Sequence, residues 1–117
     1  MKNARVYIET EKKKIPLVFN LNVMEEIQEK YGTLEKWGEV TAGGGEPKVK
    51  DLKAGIMTMM NEAIDIENEE NGTDEKPLSE KQVGRILSEV GLQEVIEKIQ
   101  EITVASTPTG ENEGKNA

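Results

Sequence analysis

The chain has 117 residues, enough for one domain, and contains neither His nor Cys. Ser-His-Asp and Cys-His nucleophile arrangements cannot be built from it, and the ligand sets of ordinary zinc sites are absent. Fifteen Lys and Arg against 23 Asp and Glu leave a net charge of −8, which phosphate backbones would repel, so nucleic acid is an unfavoured partner.

From the N-terminus, Val6 and Ile8 alternate with Arg5, Tyr7 and Glu9. After the polar connection Thr10–Lys14, Ile15, Leu17, Phe19 and Leu21 alternate again. Two period-2 runs around a short polar segment predict a β-hairpin, and Pro16, which lacks an N–H donor, predicts an edge position for the second strand. From Asn22 the spacing becomes helical. Asn22 is placed to cap a helix with Glu25 at N3, Val23, Met24, Ile27 and Tyr31 form its apolar face, and Gly32 suits its C′ position. Thr33 can cap a short second helix bearing Leu34, Trp37 and Val40, which the triple glycine Gly43–Gly45 ends.

A third helix is predicted from about Val49 to about Ile66, with Leu52, Ile56, Met59, Met60 and Ala63 in register. Met57 and Ile64 fall on the margin of that stripe and make it unusually wide. Such a width points first to core. Methionines also suit surfaces that adapt to a partner, and Met57, Met60 and Ile64 are the candidate partner-binding residues. Glu67 to Lys76 reads as a polar, acidic loop. Asp65, Glu67 and Glu69 sit at the spacing of the first EF-hand ligands, but Glu70 stands where that loop needs Gly and Lys76 where it needs Glu. No metal or cofactor is expected.

Ser79 and Gln82 have capping-box spacing, with Leu78 and Val83 placed as a hydrophobic staple. Val83, Ile86, Leu87 and Val90 continue the apolar face to Gly91, and Leu92, Val95, Ile96, Ile99 and Ile102 mark a last helix. A helix-turn-helix around Gly91 would present Glu94, Glu97 and Glu101 to a groove, the wrong charge for DNA, so helical-hairpin packing is the better reading. The fold class is therefore α+β and helix-dominant: an N-terminal β-hairpin followed by about five α-helices, one domain over residues 1–104 and a disordered tail over 105–117. Apolar runs fall far short of the ~20 residues needed to cross a bilayer, and no secretory leader opens the chain. A soluble cytoplasmic protein that binds other proteins and does no chemistry is the expectation, with self-association one way to support a core holding one Trp, two Tyr and one Phe.

The passage Ile15-Pro-Leu-Val-Phe-Asn-Leu-Asn-Val-Met-Glu-Glu-Ile-Gln-Glu-Lys-Tyr-Gly32 resembles the tail assembly chaperones of long-tailed bacteriophages and prophages, and Pro77-Leu-Ser-Glu-Lys-Gln-Val-Gly84 is similar to the start of that family's penultimate helix. The resemblance implies a host-cytoplasmic protein that binds the tape measure protein and recruits tail tube subunits, absent from the finished particle. It also implies a longer frameshifted form extending from the region after Thr103. The alternative is a small structural virion component, such as a head–tail connector or tail completion protein.

Overall fold

The computed structural model describes residues 5–42 and 48–106. Strands β1 (Arg5–Glu9) and β2 (Lys14–Val18) pair antiparallel, with Arg5 opposite Val18 and Tyr7 opposite Pro16. Five helices follow: α1 (Leu21–Tyr31), α2 (Leu34–Ala42), α3 (Val49–Asn71), α4 (Glu80–Val90) and α5 (Leu92–Ser106). The architecture is the expected helix-dominant α+β arrangement. In a two-stranded sheet each strand is an edge, so Pro16 costs no interior ladder bond. Thr10 closes the turn, its hydroxyl accepting from Lys13 N at 3.0 Å.

Helix α3 is the centre of the molecule. It packs against β2, α1, α2 and α4, while α5 covers β1. That many neighbours explains the wide apolar stripe: Leu52, Ile56, Met59, Met60 and Ala63 are all buried. Val6 and Ile8 of β1 and Leu17 of β2 close the core from the sheet side, and Val95, Ile99 and Ile102 of α5 close it from beneath.

Several boundaries differ from the sequence reading, each for a local reason. The second strand ends at Val18, and Leu17, Val18 and Phe19 are buried in succession where the chain turns into α1. Leu21, expected inside, is the first residue of α1 and is 67% exposed. The cap of α1 is Asn20, not Asn22: Asn20 Oδ1 accepts from Val23 N at 3.1 Å. Asn20 also donates to Glu62 of α3 at 2.7 Å, a tertiary contact that ties the cap to α3. Glu25 is therefore not at N3.

Helix α3 continues through the acidic run to Asn71, so Glu67–Asn71 is helix and not loop. Glu is a good helix former, Arg5 of β1 approaches Glu67 and Glu70 at 3.7 and 3.8 Å, and Gly72 in the left-handed region (φ 66°) supplies the stop. Asp65, Glu67 and Glu69 consequently lie along a helix. At the other end, α5 reaches Ser106, so Ala105 and Ser106 of the expected tail are helical. The rest of that tail, residues 107–117, and the glycines 43–45 lie outside the described residues. The Ser79–Gln82 capping box is present in both directions, at 2.8 and 3.2 Å, and Thr33 caps α2 by accepting from Lys36 N at 2.9 Å. No helix among the described residues is long and apolar enough to cross a membrane.

Candidate functional site

The residues singled out on α3 do not form one surface. Met60 is 1% exposed and belongs to the core, so it presents nothing to a partner. Met57 is half-buried at the base of a polar cleft between α1 and α3, and Ile64 is half-buried one turn below Met60. The cleft above Met57 is satisfied from within. Thr58 donates to Glu26 at 3.0 Å, and Asn22 donates to Glu62 at 3.0 Å.

A different feature has the character of a binding site. An open groove of about 740 Å³ lies between the N-terminal half of α3 and the outer face of α4, and reaches the start of α5. On α4, Lys81, Gly84, Arg85 and Ser88 line it at spacings of three, four and seven residues, one helical face. Val83 enters the core from the far side of α4, and Leu87, also largely buried, borders the groove at its inner edge, which leaves this polar stripe on the outer side. On α3, Val49 and Lys53 line it one turn apart.

Two properties set the groove apart. Val49 is 49% exposed and Leu92 is 42% exposed, two of the four large apolar side chains left outside among the described residues. Further, Lys53, Lys81 and Arg85 all face it, and none forms an ion pair with a described carboxylate. In a chain of net charge −8, three unpaired cations beside exposed apolar side chains are a local reversal of the surface character. Gly84 keeps the floor open: a Cβ there would meet only the Lys53 side chain, at 3.6 Å. Two helix N-termini border the groove, beside the C-terminal turn of α4, whose dipole opposes theirs. Helix α3 begins at Val49 with no side-chain cap, and α5 begins after Gly91, whose carbonyl accepts from Val95 N at 3.1 Å but which has no side chain to cap with.

The sequence reading missed this groove because its cations lie at positions 53, 81 and 85, and only the antiparallel return of α4 along α3 brings them together. A signal was available in α4 itself, where Lys81, Gly84, Arg85 and Ser88 repeat at helical spacing on the polar face.

Elsewhere the described residues include no group of three or more His, Cys, Asp or Glu placed to hold a metal ion. The titratable group pushed far from its ordinary range is Tyr31, raised to about 12 by burial, by its hydrogen bond to Asp51 and by the charge on that carboxylate. Its hydroxyl donates to Asp51 at 3.0 Å, a structural bond between α1 and α3.

No family model, curated protein or solved structure matches the chain.

Proposed function

We propose that this protein is a tail assembly chaperone of a long-tailed phage or prophage, working in the host bacterial cytoplasm by holding the tape measure and tail tube proteins and performing no chemistry. The observation that carries the protein-binding part is the groove between α3 and α4, where Val49 and Leu92 stay about half exposed and three cations form no ion pair with a described carboxylate. What supports the family assignment is the segment Ile15–Gly32 and its likeness to those chaperones. That segment runs as an apolar strand, a capping Asn20 and a helix whose Val23, Met24 and Ile27 enter the core.

The test is co-expression with the tape measure protein and the tail tube protein of the same genome, together with analysis of purified virions. A chaperone elutes with tape measure fragments and is missing from the particles. Recovery of the chain in stoichiometric amounts from virions would instead make it a connector or completion protein.

A further inference from the structure

We infer that the α3–α4 groove receives an acidic amphipathic helix of the partner protein, which rests on the protein-binding reading above and gives it a chemical specificity. Lys81 and Arg85 are one turn apart, about 6 Å along the helix, and Ser88 extends the stripe to about 10 Å. Glu residues one turn apart on a docked helix meet this spacing. A stripe of Leu or Ile beside them covers Val49 and Leu92, as in other helix-in-groove complexes. Depth comes from Gly84, the residue of this face that has no side chain to fill the gap.

The net charge of −8 does not forbid an acidic ligand. The acidic end of α3, at Glu69 and Glu70, is about 30 Å along the helix from Val49. At physiological ionic strength the screening length is about 8 Å, so a ligand in the groove feels little of Glu69 and Glu70. Glu80, Glu89 and Glu94 are near in sequence to Lys81, Ser88 and Leu92, but the charged side chains that line the groove itself are Lys53, Lys81 and Arg85. The distant acids repel a negatively charged segment until it is oriented toward the basic groove, so they favour one approach. Duplex nucleic acid is too extended a polyanion to escape them. A free inorganic anion would leave Val49 and Leu92 uncovered.

The experiment uses the full chain and three fluorescein-labelled helical peptides of about 18 residues (about five turns). They share one leucine stripe and differ only in carrying Glu, Gln or Lys beside it. Fluorescence anisotropy is expected to rank them Glu, then Gln, then Lys, with affinity for the Glu peptide falling as salt rises. The double variant Lys81→Glu/Arg85→Glu should lose about tenfold or more for the Glu peptide and gain for the Lys peptide. Gly84→Leu, which fills the floor without changing charge, should weaken all three. Native-like circular dichroism and a single cooperative unfolding transition establish that the variants fold. Absence of Glu-peptide binding up to about 1 mM, or an order that the charge reversal leaves unchanged, overturns the inference. So does a concentration-dependent dimer abolished by the double variant, since a second copy would then be the occupant. If the peptides fail while tape measure co-purification persists and survives Gly84→Leu, the groove assignment falls and the chaperone reading stands. If the peptides bind as ranked while the chain is found in virions, the reverse holds.

Discussion

The Trp37 indole occupies the space that a side chain at Gly55 would take: a Cβ built on Gly55 would lie 2.6 Å from Trp37 Cε2. The indole N–H donates to the Asp51 carbonyl at 3.1 Å, and the ring is 2% exposed. Helix α2 is thus fastened to α3 at the one place on α3 that lacks a Cβ. Gly55→Ala should gain about 1 kcal/mol of helix propensity and lose more, because the rigid ring must move and its hydrogen bond must break (overpacking costs about 1–3 kcal/mol, plus the bond). A net loss of about 1–2 kcal/mol in urea unfolding is expected. Gly84→Ala is the counterpart: its Cβ meets flexible Lys53 atoms at 3.6 Å, so it should stabilise by about 0.5–1 kcal/mol. Equal effects at the two glycines would rule out this placement of Trp37.

Asn20 and Asn22 divide the capping role unequally. Both donate to Glu62, at 2.7 and 3.0 Å, but only Asn20 accepts from a helix N–H. Asn20→Ala should cost about 1–2 kcal/mol. Asn22→Ala removes one exposed hydrogen bond and should cost no more than about 0.5 kcal/mol. Thermal unfolding of the two single variants measures the difference, and a larger loss at Asn22 would restore the later helix start.

Tyr31 makes stability depend on alkaline pH. Its ionisation is raised from 10.0 to about 12, burial being the largest cause and the Asp51 hydrogen bond and charge the others. The folded state therefore holds this proton more tightly than the unfolded state. The contribution is fully present below pH 10 and is lost as pH rises from 10 toward 12. In ultraviolet titration, the difference between the wild type and Tyr31→Phe should contain an ionisation well above 10, and Asp51→Asn should lower it. A Tyr31 midpoint at 10 in the native protein would show that neither the burial of its hydroxyl nor the contact with Asp51 is as described.

Local rules made most of the fold legible. Val6 and Ile8 announced their strand by alternation, Ser79 and Gln82 their capping box by spacing, and Gly32 and Gly91 the ends of α1 and α4. Tertiary contacts account for most of what was misread. The spacing points to Asn22 as the cap, but the helix already starts at Leu21 and Asn20 takes the cap, while Glu62 of α3 accepts from both side chains. The run Glu67–Asn71 looks like a solvated loop until Arg5 crosses from β1 to meet it. The candidate site was the least legible part. Met57, Met60 and Ile64 suggest a partner surface by their place at the edge of an already sufficient core stripe, but the breadth of that stripe reflects the number of elements packed around α3. Lys53, Lys81 and Arg85 are unremarkable charges in the sequence and become a site only when α3 and α4 lie side by side.

That alignment depends on Asn61. Its side-chain amide acts as a piece of backbone: Oδ1 accepts from Leu78 N at 2.8 Å and Nδ2 donates to Leu78 O at 3.2 Å. Seven residues on, Asn68 repeats the device with Glu75, accepting at 2.9 Å and donating at 3.0 Å. Together they fix the connection from α3 to α4, and with it the direction in which α4 returns. Asn61→Asp keeps the acceptor but replaces the donor with a charged oxygen facing the Leu78 carbonyl. At neutral pH this should cost about 1–3 kcal/mol, and the exposed equivalent Asn68→Asp should cost less. The sign with pH is fixed by chemistry. The introduced carboxyl recovers a donor when protonated, so the folded state raises its pKa, and the deficit relative to wild type should shrink as pH falls through the carboxylate range near 4. Guanidinium unfolding of both chains at pH 7 and at about pH 3 measures this. A deficit that stays constant or grows on acidification would show that Asn61 does not clamp Leu78 through its amide N–H.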